Sequence, residues 1–424
     1  MITSADNHKG KAIRAASAMA AIVCLICCGL RGAAADQVAD WSKALRSSSV
    51  AARADAAEAL AKEAQSKTGK ARCRPAYSAL VAALNDPVES VRKQALRALA
   101  SLSERNDGPA LIGLLAAPES LKREAGATLL GILGDRRALE ALLRAVNDRD
   151  SGVRAATIQA LGEIGDPRAA AVLAPMLTDK NARVRLKAVT ALGALRDRGT
   201  ATAILPLLRD TDHNVQRSAA LALARIGNNA VAPDLIKIVE TPGANDRFGI
   251  RFYAAFALGA LGDRRAVPVL IGGLSDKDSD VRVAAAAALS QLRDPAAIPG
   301  LIAGMKDRSD LMRWTCAQAL GNIRAKRGVP SLILGLKDKN EDVREQAAKA
   351  LGKIGDASAV DALIGVFSDE DDAIPKAAVL ALGRIGDRRA LPAVKKLLNH
   401  KESGVRLAAA EVVKILEEKP ARKS

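Results

Sequence analysis

The sequence predicts an all-α fold, a solenoid of stacked helix pairs, and three observations carry that prediction. The first is a repeat. Counting from the Val343-Arg344 pair, equivalent positions fall at Val91, Lys122, Val153, Val184 and Val215, then at Ile250, Val281, Met312, Val343, Ile374 and Val405. Every step is 31 residues except one of 35, between Val215 and Ile250. A unit of this length cannot bury its own apolar face and must stack on its neighbours. The second is an apolar stripe at positions 0, +4, +7, +8 and +11 of each copy, as in Val343, Ala347, Ala350, Leu351 and Ile354. That 3.6-residue period specifies an amphipathic helix. The third is composition: 49% of residues are apolar but only 2% aromatic, so Ala and Leu must supply the packing, as close helix–helix contacts require.

Taken in order, residues 1–35 read as a secretory signal rather than as structure. Lys9, Lys11 and Arg14 form a basic start, Ala15–Leu30 is an apolar run, and Ala33-Ala34-Ala35 offers a small-residue cleavage site before Asp36. The run is short for a retained membrane anchor, which needs about 20 residues. Cleavage removes Cys24, Cys27 and Cys28 and lowers the formal net charge from +17 to +14. The expected location is therefore outside the cytoplasm, periplasmic or extracellular, with no transmembrane segment left. Cys73 and Cys316 remain in distant repeats, which do not touch in a solenoid, so no disulfide is expected.

Residues 36–418 are the expected solenoid. An irregular copy opens it, with Ala52-Arg53 at the key positions, Trp41 on its first helix and an excess of eight residues before Val91; counting it gives about twelve helix pairs. Within each copy a shorter first helix is also apolar on one side, as in Val329, Leu332, Ile333 and Leu336. Asp150, Asn181, Asp212, Asp278, Asn340 and Asp371 stand three residues before position zero, where a side-chain oxygen caps the second helix, for about 1 kcal/mol each. Gly355 and its equivalents follow the second helix at the place of a left-handed cap. Residues 419–424 read as a disordered polar tail.

At this point the chain resembles the HEAT-repeat family, specifically the short bacterial PBS-lyase HEAT-like type. That pattern has Asp five residues before the reference position, filled here by Asp86, Asp148, Asp179, Asp210, Asp276, Asp307, Asp338 and Asp369. It has Arg just after it, at Arg92, Arg123, Arg154, Arg185, Arg251, Arg282, Arg313, Arg344 and Arg406. Prolines match at Pro109, Pro268, Pro299, Pro330 and Pro392. The resemblance implies a ladder of Asp and Arg between neighbouring repeats, expected to be partly exposed and to contribute about 0–1 kcal/mol per pair. Gln216 and Pro375 replace Arg, and Lys122 takes the apolar position, so three repeats depart from the pattern.

No chemistry converges. Loops such as Asp276–Asp280 lack the Gly and the Glu of a calcium loop and read as caps. After cleavage the histidines are His213 and His400, with no His-Glu pair, whereas relatives that hydroxylate deoxyhypusine hold iron with His-Glu dyads. No phosphate loop, serine elbow or zinc spacing is present, so no enzyme and no cofactor is expected. A lyase-like enzyme related to bilin lyases ranks third among the readings.

Two surfaces remain. Joints between repeats read Gly-Asp-Arg-Arg, placing Arg136, Arg137, Arg264, Arg265, Arg388 and Arg389 along one edge, suited to an anionic envelope polymer or lipid surface; export disfavours nucleic acid. The other is the repeat at Ile250, which follows the one insertion, Glu240–Gly249, and holds Phe248, Phe252, Tyr253 and Phe256. Positions +2, +3 and +6 should face away from the core, where the Val343 repeat has Glu345, Gln346 and Lys349. Here they are Phe252, Tyr253 and Phe256, continued by Val283, Ala284, Ala287 and Trp314. Exposed aromatics typically mark interaction sites, so the leading expectation is an exported, non-catalytic scaffold that binds a protein partner on this ridge. The alternative is that the aromatics fill space left by the insertion.

Overall fold

A computed structural model of the chain describes residues 36–241 and 249–418. The expected signal segment, Phe248 with most of the Glu240–Gly249 insertion, and the tail lie outside them. All regular structure among the described residues is helical, and it falls into twelve helix pairs. The contacts divide the chain into two units, one running to Ala191 and the other starting at Leu192. Each is built by the same rules.

In the first unit the opening pair is helix 36–44, which carries Trp41, and Val50–Glu63. The eight-residue excess before Val91 folds as an added helix, Lys67–Cys73, so the period is kept by inserting an element rather than by stretching a loop. Glu89–Leu102, Ser120–Leu133 and Ser151–Ile164 follow as second helices. In the second unit these are His213–Ile226, Ile250–Leu261, Ser279–Leu292, Asp310–Ile323, Glu341–Ile354, Ala373–Ile385 and Ser403–Glu418.

The apolar stripe becomes the core as its period demands: Val343, Ala347, Ala350 and Leu351 are fully buried. Caps form where expected, with Asp150 accepting from the backbone N–H groups of Gly152 and Val153 and Asn340 from that of Val343. Glycines 134, 165, 227, 262, 355 and 386 close second helices with positive φ, a conformation Gly reaches without a Cβ penalty. Arg196, Arg293 and Arg324 hold the same left-handed place with a side chain attached, at φ of 54°, 52° and 57°.

A seam of small residues sets how closely the second helices approach. At position +9, a Cβ added to Gly131 would lie 2.8 Å from the Cα of Ala160, and one added to Gly162 would lie 3.2 Å from that of Ala191. In the second unit Gly193 meets Ala222, Gly259 meets Ala288, Gly321 meets Ala350 and Gly352 meets Ala381, all within 3.0 Å of Cα. Glycine on one helix against alanine on the next lets the backbones nearly touch.

The Asp–Arg ladder is present and more buried than expected. Its pairs are Arg53–Asp86, Arg123–Asp148 and Arg154–Asp179 in the first unit, and Arg251–Asp276, Arg282–Asp307, Arg313–Asp338 and Arg344–Asp369 in the second. Side-chain exposure across these pairs lies between 3 and 18%, so they are buried ion pairs rather than surface ones. Each Asp also accepts the N–H two residues on, as Asp338 does from Asn340, which ties the turn to the neighbouring repeat. The departures resolve locally. Gln216 is buried and its Nε2 donates to the Asp210 carbonyl. Pro375 sits in the first turn of a helix that begins one residue late, at Ala373. Lys122 is only half-buried and pairs with Glu119 at 2.9 Å.

Candidate functional site

The second helices of the repeats at Ile250, Val281 and Met312 present one face made of positions +2, +3 and +6. Phe252, Tyr253 and Phe256 are half-buried, and the Phe252 and Tyr253 rings meet edge to face with centroids 5.3 Å apart and planes at 80°. Val283, Ala287 and Trp314 are half-buried on the same face. The expectation that +3 points away from the core fails. Ala284, Thr315 and Gln346 at that position are exposed by only 4, 3 and 6%, because adjacent second helices close over it. Tyr253 stands at this covered position, while Phe252, Phe256, Val283 and Trp314 stand at +2 and +6, and all five are half-buried.

Sequence reasoning missed Leu311, at position −1, which is 57% exposed. It lines a hollow of about 370 Å³ with Trp314, under a rim of Asp310, Asn340 and Asp342. Its signal was available: the equivalent place in the neighbouring copies holds Asp280 and Asp342. Farther along, the same face turns polar, and a trough of about 780 Å³ is lined by Lys349, Lys376 and Arg384 together with Glu345, Asp372 and Glu402.

The joint arginines split into two sets. Arg137, Arg265 and Arg389 fold back on Asp135, Asp263 and Asp387, and their Nη2 atoms donate to the carbonyls of Arg105, Asn229 and Ala357 in the preceding joints. Hydrogen bonds from Arg137 and Arg265 hold Asp135 and Asp263 below the usual carboxylate range. These arginines tie joints together. Arg136, Arg264 and Arg388 are exposed and make no side-chain hydrogen bond or ion pair among the described residues, so only this half of the edge is open to a ligand.

Groups able to do chemistry are otherwise committed. Cys73 and Cys316 are buried, and burial pushes their thiols up to about 11 and about 12, leaving them protonated at neutral pH. His213 Nδ1 lies 3.3 Å from Gln216 Oε1, and His400 Nδ1 accepts the Glu402 N–H at 3.2 Å. Among the described residues no three His, Cys, Asp or Glu side chains are grouped to hold a metal ion, and no helix is long and apolar enough to cross a membrane.

Comparison with known proteins agrees with this architecture. The family described as HEAT repeats matches residues 108–183, 170–250, 244–321, 298–378 and 363–423, and a single HEAT repeat matches residues 76–105. No curated protein matches the sequence. Among solved structures, Kap95p from work on its binding to RanGDP is similar at a TM-score of 0.66 and 15% identity, covering 90% of this chain and 62% of that one. Yeast importin-beta gives 0.66 and 13%, covering 90% and 63%. Importin beta from an ammonium sulfate condition gives 0.58 and 16%, covering 91% and 62%. This chain therefore spans about three fifths of the length of these relatives in fold.

Proposed function

Because this chain belongs to the HEAT-repeat family, we propose that it is an exported, non-catalytic scaffold that binds a partner protein through the second-helix face of the Ile250, Val281 and Met312 repeats. One observation carries the reading. Phe252, Phe256, Trp314 and Leu311 leave apolar surface open on the first and third of three successive second helices, where the Val343 repeat has charged or polar side chains. Open aromatic and aliphatic groups clustered on a rigid face are the usual anchors of a protein interface. A protein ligand also fits the use this fold is put to in Kap95p, whose structure was determined for its binding to RanGDP. The Asp and Arg at fixed offsets support placing the chain among the short PBS-lyase HEAT-like repeats.

The test is capture of partners by the full mature chain against a variant carrying Phe252→Glu, Phe256→Lys and Trp314→Glu. A partner held by the first and lost by the second supports the ridge; equal capture by both removes it. Export rests on the basic start, the apolar run and the Ala33–Ala35 site. The secreted form should begin at Asp36, and a cytosolic pool that keeps Met1 would overturn that part. The second reading, an anionic envelope surface bound by the joint edge, is favoured only by the exposed Arg136, Arg264 and Arg388. Binding of that kind should weaken steeply with salt, while ridge binding should not.

A further inference from the structure

Many arginines of this chain are spent on carboxylates or backbone carbonyls, and among those that are not, one group shares a groove. Arg293, Arg324, Lys353 and Arg384 line a groove of about 590 Å³ at the C-terminal ends of four consecutive second helices, and no carboxylate lines it with them. All four are exposed, and Arg293, Arg324 and Arg384 make no side-chain hydrogen bond or ion pair among the described residues. Lys353 Nζ donates to Asn322 Oδ1 at 2.8 Å across the groove. Its lining includes Gly321 and Gly352, the seam glycines, whose close approach to the next helix brings successive cation-bearing helix ends together.

Cations near helix C-termini also offset the helix dipole. That role does not require them here, because Ser120–Leu133 and Ser151–Ile164 carry no basic residue in their last turns. Moreover, Arg293 and Arg324 keep a side chain at a left-handed position where six other repeats use glycine. Arg196 does the same outside the groove, so the conformation alone does not mark the site, but at Arg293 and Arg324 it places a cation on the groove wall.

We propose that this groove binds an extended acidic segment of a partner polypeptide. Guanidinium forks match carboxylates in paired hydrogen bonds. Packed helices lie about 8–10 Å apart, close to one turn of an extended polyproline II chain, three residues at about 3.1 Å each, so successive cations meet every third side chain. No aromatic ring lines the groove on which a base could stack, which favours a polypeptide over a single-stranded nucleic acid. Lys353 and Arg384 also border the trough on the second-helix face, so a partner seated there reaches the groove without a break. The inference rests on the scaffold reading in one respect, that the ligand is a protein segment.

The experiment is fluorescence anisotropy on the full chain with a labelled Glu-rich peptide and, beside it, a labelled oligothymidylate of equal charge. Arg293→Gly and Arg324→Gly install the residue found at Gly355 and so keep the fold; Lys353→Gln and Arg384→Gln complete the variant. The peptide should bind the native chain more tightly than the oligothymidylate, and the four-site variant should raise its Kd by roughly tenfold or more. A control with Arg136, Arg264 and Arg388 changed to Gln should leave it within about twofold. Unchanged peptide binding by the four-site variant overturns the proposal, whether or not the melting midpoint moves, because the cations would then serve only the helix ends. Tighter binding of the oligothymidylate assigns the groove to nucleic acid, and equal weakening by the control reduces it to general charge; both overturn it. The Phe252→Glu, Phe256→Lys variant should keep full affinity for the peptide, so failure of the ridge and failure of the groove are read separately.

Discussion

Two joints in the second unit are built on opposite plans. Between the Met312 and Val343 repeats, Arg313 reaches Asp338 through Nε at 2.6 Å and Nη2 at 2.7 Å, and Asp338 accepts the Asn340 N–H at 3.0 Å. Between the Ile374 and Val405 repeats, Pro375 stands at the Arg position and His400 at the Asp position, so the ladder has no rung. Yet both joints close on the seam, Gly321 against Ala350 and Gly383 against Val412. The first unit repeats the lesson: Arg92 has Ala117 where a partner Asp would stand, and its Nη1 keeps only the bonds to the carbonyls of Asp86 and Pro87, the kind that intact rungs such as Arg154 also make. An Asp is never left alone in these joints, because a buried charge without its partner costs more than the pair contributes. Stacking therefore belongs to the seam, and the ladder fixes register.

The comparison breaks first at the seam. A Cβ on Gly352 would lie 2.7 Å from the Cα of Ala381, so Gly352→Val should destabilise by about 3 kcal/mol or more. Gly383→Ala meets a valine methyl instead, which can rotate away, and should cost about 1 kcal/mol. Urea midpoints of the two variants decide it; similar losses would show that the seam does not depend on backbone contact.

Next comes the ladder. Arg313→Ala strands the Asp338 carboxylate and should cost roughly 3 kcal/mol. Arg406→Ala, at the joint without a rung, removes only hydrogen bonds to the His400 and Lys401 carbonyls and should cost about 1 kcal/mol. The Arg313→Ala, Asp338→Ala double variant should cost less than the sum of its singles, and strict additivity would show that the rung carries no coupling.

Acid should then separate the two joints. Hydrogen bonds from Arg123 hold the Asp148 carboxyl below its usual range. Burial pushes Asp307 and Asp338 up, but Arg282, Arg313 and the backbone N–H groups of Ser309 and Asn340 outweigh it, so both also end below. Carboxylates depressed in the folded state contribute stability that is complete above the unfolded value of about 3.9 and lost as pH falls through the folded values beneath it. Hydrogen exchange near pH 3 should therefore loosen Asp310–Ile323 and Glu341–Ile354 more, relative to neutral pH, than Ser403–Glu418. A uniform response would remove the ladder as the cause.

How far the sequence reached follows from the same physics. Period, caps, left-handed closures and ladder partners were legible because each repeats, and a weak local signal becomes strong when copied. Burial of the ladder was not legible, since it depends on how closely the repeats approach. That distance is set by glycines at +9, which have no side chain and so add nothing to an apolar stripe. Position +3 was misread for the same reason: a single helix shows it pointing outward, and only the neighbour drawn in by the seam covers it. Leu311 and the unpaired Arg293 and Arg324 stood out as departures from their own columns, a signal that needed the repeats read downward as well as along.

The smallest expected effect on stability falls on the aromatic ridge, and it decides what the ridge is for. Phe252 and Phe256 stand at +2 and +6, where the Val343 repeat has half-buried Glu345 and Lys349 and still packs fully. Phe252→Glu with Phe256→Lys installs that arrangement, including an acidic side chain in the first turn, where the helix dipole favours it. The change should therefore cost no more than about 1 kcal/mol. Tyr253 differs, because +3 is covered in the repeats that follow, and its ring packs edge-on against Phe252. Tyr253→Lys places a charge where Ala284, Thr315 and Gln346 are buried and should cost more than the double change. If melting curves instead show Phe252→Glu, Phe256→Lys losing several kcal/mol, these rings fill space beside the insertion, and the ridge is core rather than interface.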